Sequence, residues 1–136
     1  MDFENATELE RVFGGWPSFH DAEVLTASFD RSGNDGPTLQ LVVHVFEMTP
    51  EVDAKGYFVL KNHTEVTMIF TKIAVNRFEW FNHQNVLSSL EIEDIPPAEH
   101  DGRRFRIDLP SSYGLEATFE CDRAIVSGVR PHEFDV

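Results

Sequence analysis

The sequence predicts a β-rich α+β domain with one N-terminal helix followed by about eight short, mainly antiparallel strands. Three observations carry this. Helical apolar spacing is confined to the amino-terminal stretch, period-two alternation recurs from residue 21 to residue 129, and clusters of Gly, Pro, Asn and Asp break the alternating runs. No strand is followed by the long helix that a parallel sheet requires. With 136 residues, 41% of them hydrophobic and 12 of them Phe, the chain holds enough apolar material for one core, and residues 1–136 read as a single domain.

Asn5 and Glu8 stand three apart in the manner of a capping box, and Leu9, Val12 and Phe13 form one apolar stripe. A short helix is therefore expected over 6–13, with Gly14 as its left-handed stop. In the stretch 13–24 the period changes from helical to alternating. Gly14, Gly15, Pro17 and three large rings, Trp16 among them, mark an anchored helix-to-strand junction. Residues 21–29 put Leu25, Ala27 and Phe29 on one strand face and Val24, Thr26 and Ser28 on the other. Beyond the turn formers of 30–37, a second strand over 38–47 points Leu39, Leu41, Val43 and Val45 one way.

Residues 48–56 contain Pro50 and Gly56 and are expected to form a loop, with 57–61 and 65–71 a hairpin around Asn62-His63-Thr64. The stretch 73–81 fits a strand or a short helix. Residues 86–92 alternate, with Leu90 and Ile92 inward and Glu91 and Glu93 outward, and 96–102 form a loop. Strands over 104–109, 115–121 and 124–129 finish the chain, the last two joined by a tight turn at Asp122-Arg123.

Lys and Arg number 11 against 24 Asp and Glu, a net charge of −13. A field of that sign repels nucleic-acid phosphate and anionic lipid, so neither nucleic acid nor membrane is an expected partner, and a basic protein is. Acidity also serves solubility alone. Cys121 is the only cysteine, which suits a reducing compartment. The opening Met1-Asp2-Phe3-Glu4 lacks the basic segment and apolar run of a secretory signal, so the cytoplasm is the expected location.

No nucleophile elbow, phosphate-binding loop or dinucleotide fingerprint occurs. The six histidines show no helical ligand spacing and no metal or other cofactor is expected. Cys121, alternating inward with Phe119, reads as packing. His20-Asp21 has two readings. It serves a small metal-dependent enzyme if the backbone bends there, or it bonds the backbone of the Gly-Gly corner. Asn82-His83-Gln84-Asn85 is either a polar recognition loop or a turn whose side chains orient the next strand. Glu91, Glu93, Asp94, Glu99 and Asp101 crowd one short span, with Glu47, Glu51 and Asp53 a smaller group. Such crowding costs stability, which suits a surface that a basic partner approaches.

Phe13-Gly14-Gly15-Trp16-Pro17-Ser18-Phe19-His20-Asp21-Ala22-Glu23-Val24, with Phe81-Asn82-His83-Gln84-Asn85-Val86-Leu87 and Tyr113-Gly114 ahead of Phe119-Glu120-Cys121, resembles the immunity protein 50 family of bacterial polymorphic toxin systems. The resemblance runs over nearly the whole chain. It implies a non-enzymatic protein that neutralises a cognate toxin by stoichiometric binding, and the charge suggests a basic nuclease as that toxin. It supplies no contact residues. Pairing of exposed sheet edges into a homodimer is left open.

Overall fold

The structure, a computed structural model, describes residues 2–96 and 101–133. Among these residues the chain forms one helix and eleven strands. In order they are β1 (Phe3–Glu4), α1 (Thr7–Phe13), β2 (Glu23–Asp30), β3 (Thr38–Val52), β4 (Phe58–Phe70), β5 (Ala74–Glu79), β6 (Val86–Leu87), β7 (Glu91–Asp94), β8 (Phe105–Leu109), β9 (Ser111–Tyr113), β10 (Glu116–Cys121) and β11 (Ala124–Pro131). A seven-stranded sheet has the order β1-β11-β4-β3-β2-β6-β9, and a four-stranded sheet the order β5-β10-β8-β7. Every pairing is antiparallel except β1 with β11. The β-rich α+β class is therefore as expected. The single helix has seven residues, and no described helix is long and apolar enough to cross a membrane.

One apolar core lies between the sheets, because alternate residues on each strand turn the same way. β3 contributes Leu39, Leu41, Val43 and Val45, β4 contributes Val66, Met68 and Phe70, and β10 contributes Ala117, Phe119 and Cys121, all buried. Phe70 meets Phe119 edge-on, their ring centroids 4.9 Å apart, and so joins the two layers. The junction after α1 closes one end of this core. Gly14 is left-handed at φ 72° and ends the helix, and Trp16 stacks on Phe3 at 4.8 Å and lies 5.4 Å from Phe19.

Several elements differ from expectation. Asn5 is itself left-handed at φ 60°, and Ala6 takes the cap position without a side-chain bond, so no capping box forms. The helix start is held instead by β1, whose Glu4 accepts two hydrogen bonds from Arg123 at 2.7 Å. Residues 48–56 are not a loop, for β3 runs on to Val52 and turns at 53–56, where Asp53 Oδ1 accepts the N–H groups of Lys55 and Tyr57. Pro50 is tolerated because β2 pairs with β3 only as far as His44, leaving the outer edge there unpaired. Asn62, at φ 56°, lies beside a bulge within continuous β4, where a hairpin turn was expected.

The stretch 86–92 splits at Ser88 between the two sheets. Asp122-Arg123 likewise carries the chain from the small sheet to the large one and closes no hairpin. Thr71 stabilises this crossing by accepting from the Asp122 N–H and donating to the Arg123 carbonyl.

Candidate partner-binding face

Strand parity builds an acidic surface on the outer side of the small sheet. Phe105, Ile107 and Leu109 of β8 and Ala117, Phe119 and Cys121 of β10 point into the core. Their neighbours Arg106, Asp108, Glu116, Thr118 and Glu120 therefore point out. β7, at the edge, adds Glu91 and Glu93, and β5 adds Arg77 and Glu79. Among the described residues, six carboxylates thus share this face with two guanidinium groups. Arg106 bonds Glu93 at 3.1 Å and Glu120 at 3.2 Å, and these bonds hold it all the more firmly protonated. Arg77 lies between the directly paired Glu79 and Glu116, 3.9 and 3.0 Å away.

Glu91 and Asp108 are the exception. They face each other across β7 and β8, and among the described residues neither has a cation within ion-pair distance. Glu91 accepts the Ser89 hydroxyl and Asp108 that of Thr118. Both line a shallow groove of about 180 Å³ with Arg77, Glu116 and Thr118. Of the other expected contact residues, Asp94 is exposed on β7 but alternates away from Glu91 and Glu93. Asp101 pairs with Arg103 at 3.1 Å, and Glu99 lies outside the described residues.

The backbone does bend at His20-Asp21. Asp21 has φ 63°, and its carboxylate comes within 3.6 Å of His20 Nε2, both side chains being exposed. Their bonds run to the β6 segment, however, where a Gly-Gly partner was expected. His20 Nδ1 meets the Ser88 carbonyl at 3.1 Å and the Asp21 N–H donates to the Leu87 carbonyl. No described group of three or more His, Cys, Asp or Glu residues is arranged to hold a metal ion.

Asn82-His83-Gln84-Asn85 behaves as an orienting turn. Asn85 is 2% exposed, and its Oδ1 accepts from the N–H groups of Asn82 and Leu115 while its amide donates to the Asn82 and Val24 carbonyls. Gly114, at φ 75°, packs so close that a Cβ there would sit 2.3 Å from the Gln84 carbonyl oxygen. The three sequence stretches around Val24, Asn85 and Gly114 therefore meet at one corner.

Sequence reasoning missed a second cluster. His44 Nε2 lies 2.9 Å from His63 Nδ1, the His44 ring stacks on His132 at 3.9 Å, and His132 meets Glu65, which also holds Arg130. Burial first, then the neighbouring His132 and His63, push the His44 pKa down to about 4. The available signal was the β3–β4 pairing, which puts His44 opposite Glu65 once the hairpin tip is placed at 53–56.

Residues 5–132 match the immunity protein 50 family. The chain belongs to that family. No curated protein and no solved structure matches it. The matched span takes in the acidic face of this immunity protein, the corner at Asn85 and the histidine cluster.

Proposed function

We propose that this immunity protein neutralises a bacterial toxin in the cytoplasm by stoichiometric binding, with basic toxin surface seated on the outer face of the small sheet. No bond is made or broken. The observation that carries the reading is the Glu91–Asp108 pair, two carboxylates directly opposed across strands with no cation within ion-pair distance among the described residues. Like charges so placed are destabilising. A partner's lysine or arginine removes that cost on binding. The net charge of −13 adds a long-range field that speeds encounter with a basic protein and turns away nucleic acid and anionic lipid. A nuclease toxin fits this field, since its own phosphate-holding surface is basic.

The test is co-expression with the toxin encoded beside this chain, scored by growth rescue and pull-down. Glu91→Lys with Asp108→Lys should leave the protein folded and weaken rescue. Full rescue by that folded double variant removes the face from the proposal.

A further inference from the structure

The acidic face ends, next to the paired Glu79 and Glu116, in exposed rings. Trp80 follows Glu79 directly and is 66% exposed, Phe81 is 43% exposed, and Tyr113, three residues before Glu116, is 52% exposed. Trp80 also sits in the left-handed region at φ 62°, a conformation unfavourable for a bulky side chain. The turn described above holds it there. Asn82 donates its side-chain amide to the Trp80 carbonyl at 2.8 Å, and Asn82 is in turn fixed by buried Asn85, which also binds the Leu115 N–H beyond Tyr113. A rigid, well-bonded support thus presents a strained aromatic residue to solvent.

We infer that Trp80 is the anchor that receives an arginine or lysine of a basic protein partner, beside Glu79 and Glu116, which already share Arg77. Ring faces attract cations, and Trp and Tyr are the residue types that dominate binding energy at interfaces. A second copy of this chain is a poor occupant, because it brings another −13 to the contact. The inference rests on the toxin-binding reading and names the residue that holds the toxin once it has arrived.

The experiment measures binding kinetics of the catalytically inactivated neighbouring toxin to the full chain. The variants are Trp80→Gly, Glu91→Lys with Asp108→Lys, and Phe58→Ser at the distant hairpin tip. Trp80→Gly should speed dissociation at least about tenfold while leaving association and its salt dependence unchanged. Its melting temperature should hold or rise, since glycine relieves the left-handed backbone. Unchanged dissociation from Trp80→Gly overturns the anchor, and salt-sensitive binding retained in that case leaves the acidic-face reading standing. Faster dissociation from Trp80→Gly, beside wild-type kinetics from the double lysine variant, keeps the anchor and removes the face. Loss of binding through Phe58→Ser alone, or elution of the free protein as a dimer through Trp80, also overturns it.

Discussion

Asn85 shows how much one buried amide can organise. Its oxygen satisfies two N–H groups and its nitrogen two carbonyls, and these groups come from the stretches around Val24, Asn82 and Leu115. Asn85→Ala leaves both N–H groups without their acceptor, one of them fully buried, and should destabilise the protein by about 2–4 kcal/mol in urea unfolding. A loss below about 1 kcal/mol would show that the corner is held by other contacts. The sequence did announce that Asn82-His83-Gln84-Asn85 is special, because amide side chains after a ring cluster commonly bond the backbone. Its partners were not legible, since Leu115 lies 30 residues away.

His44 gives a pH dependence with a definite sign. Its pKa falls from 6.5 to about 4 in the folded protein, so the unfolded chain binds the proton first as pH drops. The stability this contributes is whole above the unfolded value and drains away between 6.5 and about 4. His63 is shifted in the same direction by burial. Glu65 is held below the usual carboxylate range, chiefly by its bond to Arg130, so its contribution is present above its unfolded value of 4.5 and is lost below it. Melting temperatures between about pH 7.5 and about pH 5 should therefore fall less in His44→Phe than in the natural sequence. Equal falls would show that His44 is not the group responsible.

At the scale of elements, the β3–β4 hairpin is the clearest departure from expectation. It outruns its neighbours, for β2 stops pairing at His44 and β11 at Thr64, so residues 46–62 project as a two-stranded ribbon. Asn62-His63-Thr64 was read as a turn because a turn and a bulge both call for residues that tolerate positive φ. Pro50 was read as a strand breaker, yet on an unpaired edge its missing N–H costs nothing. Exposed side chains on the ribbon should contribute little to stability. Tyr57→Ser and Phe58→Ser should each change unfolding free energy by less than about 0.5 kcal/mol, whereas Leu9→Ala, on the buried face of α1, should cost about 2–5 kcal/mol. Comparable losses at all three positions would mean that the ribbon packs against something.

For the whole molecule, charge and scaffold are coupled. Replacing Glu91 by lysine turns the repulsive pair with Asp108 into an attractive one and should stabilise the free protein by roughly 0.2–1 kcal/mol, while slowing association with the toxin. Glu93 is the wrong residue for such a test, because its change also breaks the bond from Arg106. Association of the natural sequence should slow steeply as salt rises, since the Debye length is only about 10 Å at 0.1 M. Indifference to salt would leave the charge of −13 with solubility as its sole role.

Local chemistry, written along the chain, determined much of this protein. Period-two alternation set which side of β3, β8 and β10 is buried, Gly14 ended the helix, and composition set the sign of the field, because each depends on a residue and its near neighbours alone. Only the tertiary structure decided which strands are neighbours. That choice split 86–92 between two sheets, sent the chain across at Asp122-Arg123, set Glu91 against Asp108 and gathered His44, His63 and His132. Pairing over long separations is chosen by the total burial and hydrogen bonding of the closed core, and no single stretch of sequence contains that sum.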